Sequence, residues 1–227
     1  MGTRVSEKTY LGDTVVGRFL YKLFWALAWV FLHLVCRLRV EGREHIAHLP
    51  VSEPVLIVSN HLSWCDPLLL GLAFPRRVWF LTKVEAFQWP IVGWIMRHTG
   101  QIAVHRGEGD RIALETAVAY LQGSKALVIF PEGTVARQER MIAARPGVAV
   151  IVARSHAVVV PVALSGARRI LRPHGGWRPH VSIHIGVPYV PVLPEGATRK
   201  AGLQMLTDEM MSKIAEMLPL EQRGIYS

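Results

Sequence analysis

The stretch PVLIVSNHLSWCD, residues 54–66, decides how this chain folds. Its first half, Pro54 to Ser59, is a continuous apolar and β-branched run, the pattern of a strand buried on both faces of a parallel sheet. Its second half turns polar at Asn60 and reaches Pro67, which suits the first turn of a helix over Pro67–Phe74. Working outward, VWFLT (78–82), ALVIF (126–130), Val158–Leu164 and Val181–Ile185 repeat the strand pattern. Asp110–Leu121, Pro146–Arg154 and Leu203–Leu218 read as helices, the first with Asp110 as its N-cap and Ile112, Leu114, Val118 and Leu121 on one face. This alternation predicts an α/β fold: a single domain over residues 41–227, with a mostly parallel central sheet flanked by helices. Residues 1–40 form a separate N-terminal segment.

Composition supports one compact domain. The 227 residues are 51% hydrophobic and 19% charged, enough to bury a core and incompatible with disorder. Two cysteines, Cys36 and Cys65, cannot build a disulfide framework or a zinc-ribbon set, so no metal is expected and a reducing, cytoplasmic compartment is. No small-residue cleavage site follows the first apolar run, so no secretory signal is expected. The net charge of +9 (26 basic against 17 acidic residues) asks for an acidic partner. Eight arginines lie between Val135 and His180 (137, 140, 145, 154, 168, 169, 172, 178) against one acid, Glu139. No zinc-finger spacing, RNA-recognition signature or basic heptad accompanies them, which argues against nucleic acid. A mean hydropathy of +0.27 points instead to an anionic membrane surface.

The membrane question rests on LFWALAWVFLHLVC, Leu23 to Cys36, flanked by Arg18, Lys22, Arg37 and Arg39. As a helix these residues extend only about 21 Å, short of the ~30 Å hydrocarbon core. Extension to residues 19–38 would bring Lys22, His33 and Arg37 into or near lipid. Trp25 and Trp29 lie four apart, as expected of an interfacial anchor. An interfacial helix, a span and a buried core helix all fit the pattern, and the first two place the chain at a membrane.

Two segments follow strand ends, where open α/β sheets bind ligands. In NHLSWCD (60–66), His61 and Asp66 are five apart and meet only if the chain turns between them. The same spacing recurs at His48/Glu53 and His105/Asp110, but neither of those pairs follows a buried strand. Asp66 either N-caps the next helix or orients His61. In the second case a carboxylate on one ring nitrogen fixes the tautomer and leaves the other to take a proton from a hydroxyl, a general base. Ser63 and Cys65 lie between the pair, but no G-x-S-x-G elbow occurs, and Cys65 beside Trp64 suits a small buried residue better than a thiolate. The second segment is FPEGT (130–134), a turn that exposes Glu132 and lets a ligand approach Gly133, or else an ordinary surface turn.

NHLSWCD, GQIAVHR (100–106), FPEGT and VPVAL (160–164), in this order, resemble the four blocks of the glycerolipid acyltransferase family, which includes 1-acyl-sn-glycerol-3-phosphate acyltransferases. Lys83, Phe87, Pro90 and Gly93 also stand where members of that family carry similar residues, and the resemblance covers roughly residues 40–190. It implies acyl transfer from acyl-CoA or acyl-carrier protein to the hydroxyl of a lysophospholipid at the cytoplasmic face of a membrane, without a cofactor. His61 and Asp66 would be catalytic. Arg106 would hold the acceptor's phosphate, Glu132, Gly133 and Thr134 the glycerol-phosphate part, and Pro161 would shape a strand end near the donor; Lys83 joins this substrate-binding set. One departure matters: the third block usually continues with Arg, and Val135 stands there. One phosphate ligand is then either missing or replaced by Arg137 or Arg145, and the acceptor could be lysophosphatidate, another lysophospholipid or an amino-acid lipid.

Overall fold

The computed structural model describes residues 15–99, 101–104, 109–170 and 177–227. The elements are α1 (Val15–Val35), β1 (Arg37–Glu41), α2 (Arg43–Ile46), β2 (Val55–Ser59), α3 (Asp66–Ala73), β3 (Val78–Lys83), α4 (Pro90–Thr99), β4 (Ile102–Val104), α5 (Gly109–Gln122), β5 (Ala126–Ile129), α6 (Gly147–Ser155), β6 (Val158–Ser165), β7 (His180–Ile185) and α7 (Arg199–Glu216). The strands form one seven-stranded sheet in the order β1-β7-β6-β2-β5-β3-β4. Every pairing is parallel except β6 with β7. The expected α/β architecture is present. The sheet nevertheless reaches further back than residue 41, because Arg37–Glu41 pairs with His180–His184 as an edge strand.

The strand patterns follow from burial. All five residues of β2 are buried, and they serve two cores. Val55 and Ile57 face Leu32 of α1 and Leu69, Leu70 and Ala73 of α3. Leu56 and Val58 face Ala117 and Leu121 of α5, Val148 and Val152 of α6, and Met210 and Ile214 of α7. A strand covered on both faces has no polar side to alternate with, hence the unbroken PVLIVS. β1 and β4, absent from the expectation, lie at the two sheet edges. RLRVE of β1 is charged and only partly buried, which removes the apolar signal a central strand gives.

α1 runs for 21 residues, longer than its 14-residue apolar stretch. Ala28, Leu32 and Cys36 face the core, while Phe19, Leu23, Leu27, Val30, Phe31 and Leu34 are exposed. The helix thus has a second apolar stripe that nothing in the fold covers among the described residues. The expected Trp25/Trp29 pair is split. Trp25 packs so tightly on α3 that a Cβ at Gly71 would lie 1.8 Å from its ring. Trp29 is exposed and stacks on His33, with ring centroids 4.1 Å apart. Residues four apart on a helix diverge by about 40°, enough here to put one ring inside and the other outside. Among the described residues no helix is long and apolar enough to cross a membrane.

Gly71 is therefore required by close approach. Gly71→Ala is expected to destabilise the fold by about 1–3 kcal/mol, the cost of overpacking, as a lower urea midpoint. In a Trp25→Ala background the same change should cost nothing.

Candidate active site

β2, β5 and β6 are adjacent and parallel, so their carboxyl ends lie side by side. The chain leaving β2 is pinned first by Asn60. Its buried side chain donates to the Leu164 carbonyl at 2.9 Å and accepts from the Leu164 amide at 2.8 Å. An amide side chain thereby takes over the ladder where the strand ends and frees the backbone to turn. At the next residue, the His61 carbonyl accepts the Ala136 amide at 2.8 Å, tying this turn to the segment after β5.

The turn brings His61 and Asp66 together. His61 Nδ1 and Asp66 Oδ2 are 2.8 Å apart, and the same oxygen accepts the backbone amides of Leu62 at 2.6 Å and Ser63 at 2.8 Å. Asp66 is the first residue of α3 and its carboxylate turns back onto residues 61–63, so it organises this turn and does not act simply as a helix cap. Asp66 is fully buried. Burial pushes its carboxyl above the ordinary value, and the His61 ring and the two amides oppose that by stabilising the charge. With Nδ1 committed to Asp66, Nε2 on the far side of the imidazole is the nitrogen available to a substrate. The ring is stacked on Phe130, centroids 4.1 Å apart and planes 15° from parallel, and keeps 16% of its surface accessible. An apolar ring thus fixes one face of the imidazole.

The two candidate nucleophiles between His61 and Asp66 are both buried. The Ser63 hydroxyl accepts the Cys65 amide at 3.2 Å. Cys65 is buried, and desolvation pushes its thiol up to about 11.

FPEGT follows β5, but only part of it is exposed. Gly133 has φ +68°, the left-handed region that glycine favours, and it and Thr134 face solvent. Glu132, expected on the outside of this turn, is 3% exposed. The reason is tertiary: the segment from Ala136 to Arg145 folds back over it, with Arg145 N–H donating to the Pro131 carbonyl at 2.9 Å. No hydrogen bond of good geometry reaches either Glu132 oxygen among the described residues. Desolvation raises this carboxyl to about 8; the nearby His61 and Ile142 amides pull the other way, and the Asp66 charge adds to the rise. Glu132 therefore lies beneath the turn, with its carboxyl withdrawn from the surface.

Arg145 does reach the site. Its side chain lies over Gly133, where a Cβ would sit 3.0 Å from Nε. Arg168 donates to the Ala136 carbonyl at 2.6 Å, adding a second guanidinium to the same rim, and Arg137 is exposed beside it. Arg106 lies outside the described residues, and Lys83 ends β3 opposite Val104, with its side chain outside them as well. Pro161, expected at a strand end, stands within β6 opposite Val58. Its ring faces Gly186 and a cavity of about 540 Å³ shared with His45, His184 and Met217, whose lining includes neither His61 nor Asp66. Sequence reading gave no role to Asn60 or Phe130, although both lie in the quoted blocks. Their functions are defined by partners, Leu164 and the His61 ring, that spacing does not reveal.

Residues 37–165 match the family model described as Acyltransferase. The chain is 33% identical over 145 residues to a lyso-ornithine lipid O-acyltransferase of Pseudomonas aeruginosa, covering 63% of this chain and 53% of the relative. It is 29% identical over 189 residues to a chloroplastic 1-acyl-sn-glycerol-3-phosphate acyltransferase of Arabidopsis thaliana, covering 81% and 50%. The chain thus spans about half the length of these relatives. The crystal structure of the 1-acyl-sn-glycerophosphate acyltransferase PlsC from Thermotoga maritima shares the fold, with a TM-score of 0.65 at 24% identity over 85% of this chain and 77% of that one.

Two outcomes test the site's electrostatics. Native protein at pH 7–8 should resist iodoacetamide at Cys65, and rapid alkylation would show that the thiol is neither buried nor shifted. The raised Glu132 carboxyl makes the folded state hold a proton the unfolded chain releases near its ordinary value. Stability from this group is therefore full below that value and lost as pH rises towards about 8. The slope should approach, at most, about 1.4 kcal/mol per pH unit, and Glu132→Gln should remove it from pH-dependent urea unfolding.

Proposed function

The chain belongs to the acyltransferase family, and from that premise we propose that it transfers a fatty acyl group from acyl-CoA or acyl-carrier protein to the free hydroxyl of 1-acyl-sn-glycerol-3-phosphate, giving phosphatidic acid. The observation that carries this reading is the 2.8 Å contact between His61 Nδ1 and a buried Asp66 at the end of β2. His61 Nε2 accepts the acceptor's hydroxyl proton as its oxygen attacks the thioester carbonyl. The tetrahedral intermediate then expels the thiolate, the C–S bond breaks, and the imidazolium returns its proton to sulfur. Asp66 stabilises the imidazolium between these two transfers. A thioester is already activated, so no covalent enzyme intermediate is needed, in keeping with the shielded Cys65 and the tied Ser63 hydroxyl.

Arg145 over the Gly133 turn, with Arg106 from the second block, receives the acceptor's phosphate; a guanidinium fork suits that group better than an ammonium. A second acceptor, an amino-acid lipid, is favoured by Val135 standing in place of the usual arginine and by the Pseudomonas aeruginosa relative's own name.

The reaction takes place at a membrane surface, on its cytoplasmic face. The exposed α1 stripe of Phe19, Leu23, Leu27, Val30 and Leu34 supports this, lying in the interface while the opposite stripe holds the helix to the domain. Trp64, within the turn from His61 to Asp66, is 67% exposed beside the exposed Trp89, with centroids 6.0 Å apart. These two rings suit the headgroup region beside the site.

Thiol release from palmitoyl-CoA with a panel of lyso-acceptors tests the reaction. His61→Ala should abolish it, and Asp66→Asn should lower kcat by orders of magnitude, about 10⁴ where an orienting acid is amidated in a serine-protease triad. Normal turnover by folded His61→Ala excludes His61 as the base, and normal turnover by folded Asp66→Asn excludes Asp66 as the acid that orients it. Vesicle binding without thiol release from any acceptor would mark a non-catalytic membrane-binding module. Leu27→Asp with Val30→Asp should weaken sedimentation with anionic vesicles at least about tenfold without lowering the melting temperature.

A further inference from the structure

The segment that carries Arg145 is not held by the sheet alone. After α7 the chain forms two short 3₁₀ turns, Leu220–Gln222 and Gly224–Tyr226. Arg223 Nε donates back to the Leu218 carbonyl at 2.9 Å, which fixes these turns to the end of the core helix. The Gln222 carbonyl accepts the Met141 amide at 2.9 Å, and Tyr226 Oη accepts the Ala144 amide at 3.0 Å. Gly224 has φ +62°, and a Cβ there would lie 2.0 Å from the Met141 carbonyl oxygen. Only glycine allows so close a contact. Meanwhile the Arg145 amide goes to Pro131 and its side chain lies over Gly133. The segment 141–145 is thus clamped between residues 222–226 on one side and the FPEGT turn on the other. The Tyr226 ring itself is half-buried against the core that Met141, Met210 and Ile214 share.

We propose that Tyr226 is a positioning residue: through the Ala144 amide it holds Arg145 over the Gly133 turn and so sets how tightly the site takes the acceptor's phosphate. The inference rests on the reading of Arg145 as the headgroup cation and adds the element that aims it. The phenol hydroxyl touches no reacting atom. It satisfies an amide that would otherwise have no partner in this clamp, at the residue immediately before the arginine.

Tyr226→Phe keeps the ring in its apolar packing and removes only the acceptor oxygen. Steady-state kinetics with lysophosphatidate and palmitoyl-CoA should show KM for lysophosphatidate raised about three- to tenfold, the range that one neutral hydrogen bond supports. The kcat and the KM for palmitoyl-CoA should stay within about twofold, a split that general loosening of the fold would not give. In an Arg145→Gln background, itself raised in KM for lysophosphatidate, the same substitution should add nothing. Amide exchange at Ala144 should quicken in Tyr226→Phe. A fall in kcat with both KM values unchanged, or an equal effect in both backgrounds, overturns the inference. So does a silent Tyr226→Phe where Arg145→Gln raises KM, and that result leaves the assignment of Arg145 standing. An unchanged KM in Arg145→Gln itself removes that assignment and this inference with it.

Discussion

One oxygen organises the carboxyl end of β2 in this protein. Asp66 Oδ2 takes the ring nitrogen of His61 and the amides of Leu62 and Ser63, all within 2.8 Å. Those three donors define the path of the chain between β2 and α3, so the group that orients the His61 ring also builds the turn that carries it. A carboxylate fully removed from water is costly unless its charge is met, and here convergent donors meet it. The arrangement leaves one imidazole nitrogen free, in a site whose other wall is the Phe130 ring.

A second buried carboxyl lies close by and is treated differently. Glu132 has no donor of good geometry among the described residues, and burial holds its proton to about pH 8. Asp66 Oδ2 is met by three donors, whereas its buried Oδ1 has none of good geometry among the described residues, and burial raises this carboxyl too. Glu132 is shielded and suited to stay neutral beneath the Gly133 turn. Two acids near one another in a low-dielectric site separate their roles in this way, because a second charge would raise the energy of both. The same turn is held from above by Arg145 and from behind by residues 222–226, so strand ends and the C-terminal turns contribute jointly to one face.

The surface shows a parallel division. α1 presents one apolar stripe to the core and an opposite one to solvent, and the turn from His61 to Asp66 carries an exposed Trp64 beside Trp89. A chain that only needed to be soluble would gain nothing from a second apolar face on its first helix. Arg145 lies over Gly133 and Arg168 is tied to the Ala136 carbonyl in the segment that follows it.

By itself the sequence determined the buried strands, the placement of His61 and Asp66 after the first of them, and the family resemblance. Each of these is local: a two-faced strand must be apolar throughout, and a turn between a strand and a helix lies within seven residues. Edge strands β1 and β4 were not legible, because charged or very short segments lack that apolar signature. Only tertiary structure decided the rest of the site. Glu132 is inside because a later segment covers it, Pro161 faces Gly186 because β6 pairs in one register, and Trp25 and Trp29 part because only one meets α3. Asn60 acts on Leu164 and Tyr226 on Ala144, 104 and 82 residues away. Contacts of that range depend on how the sheet is ordered, and strand order is set by packing across the whole domain, which no local pattern encodes.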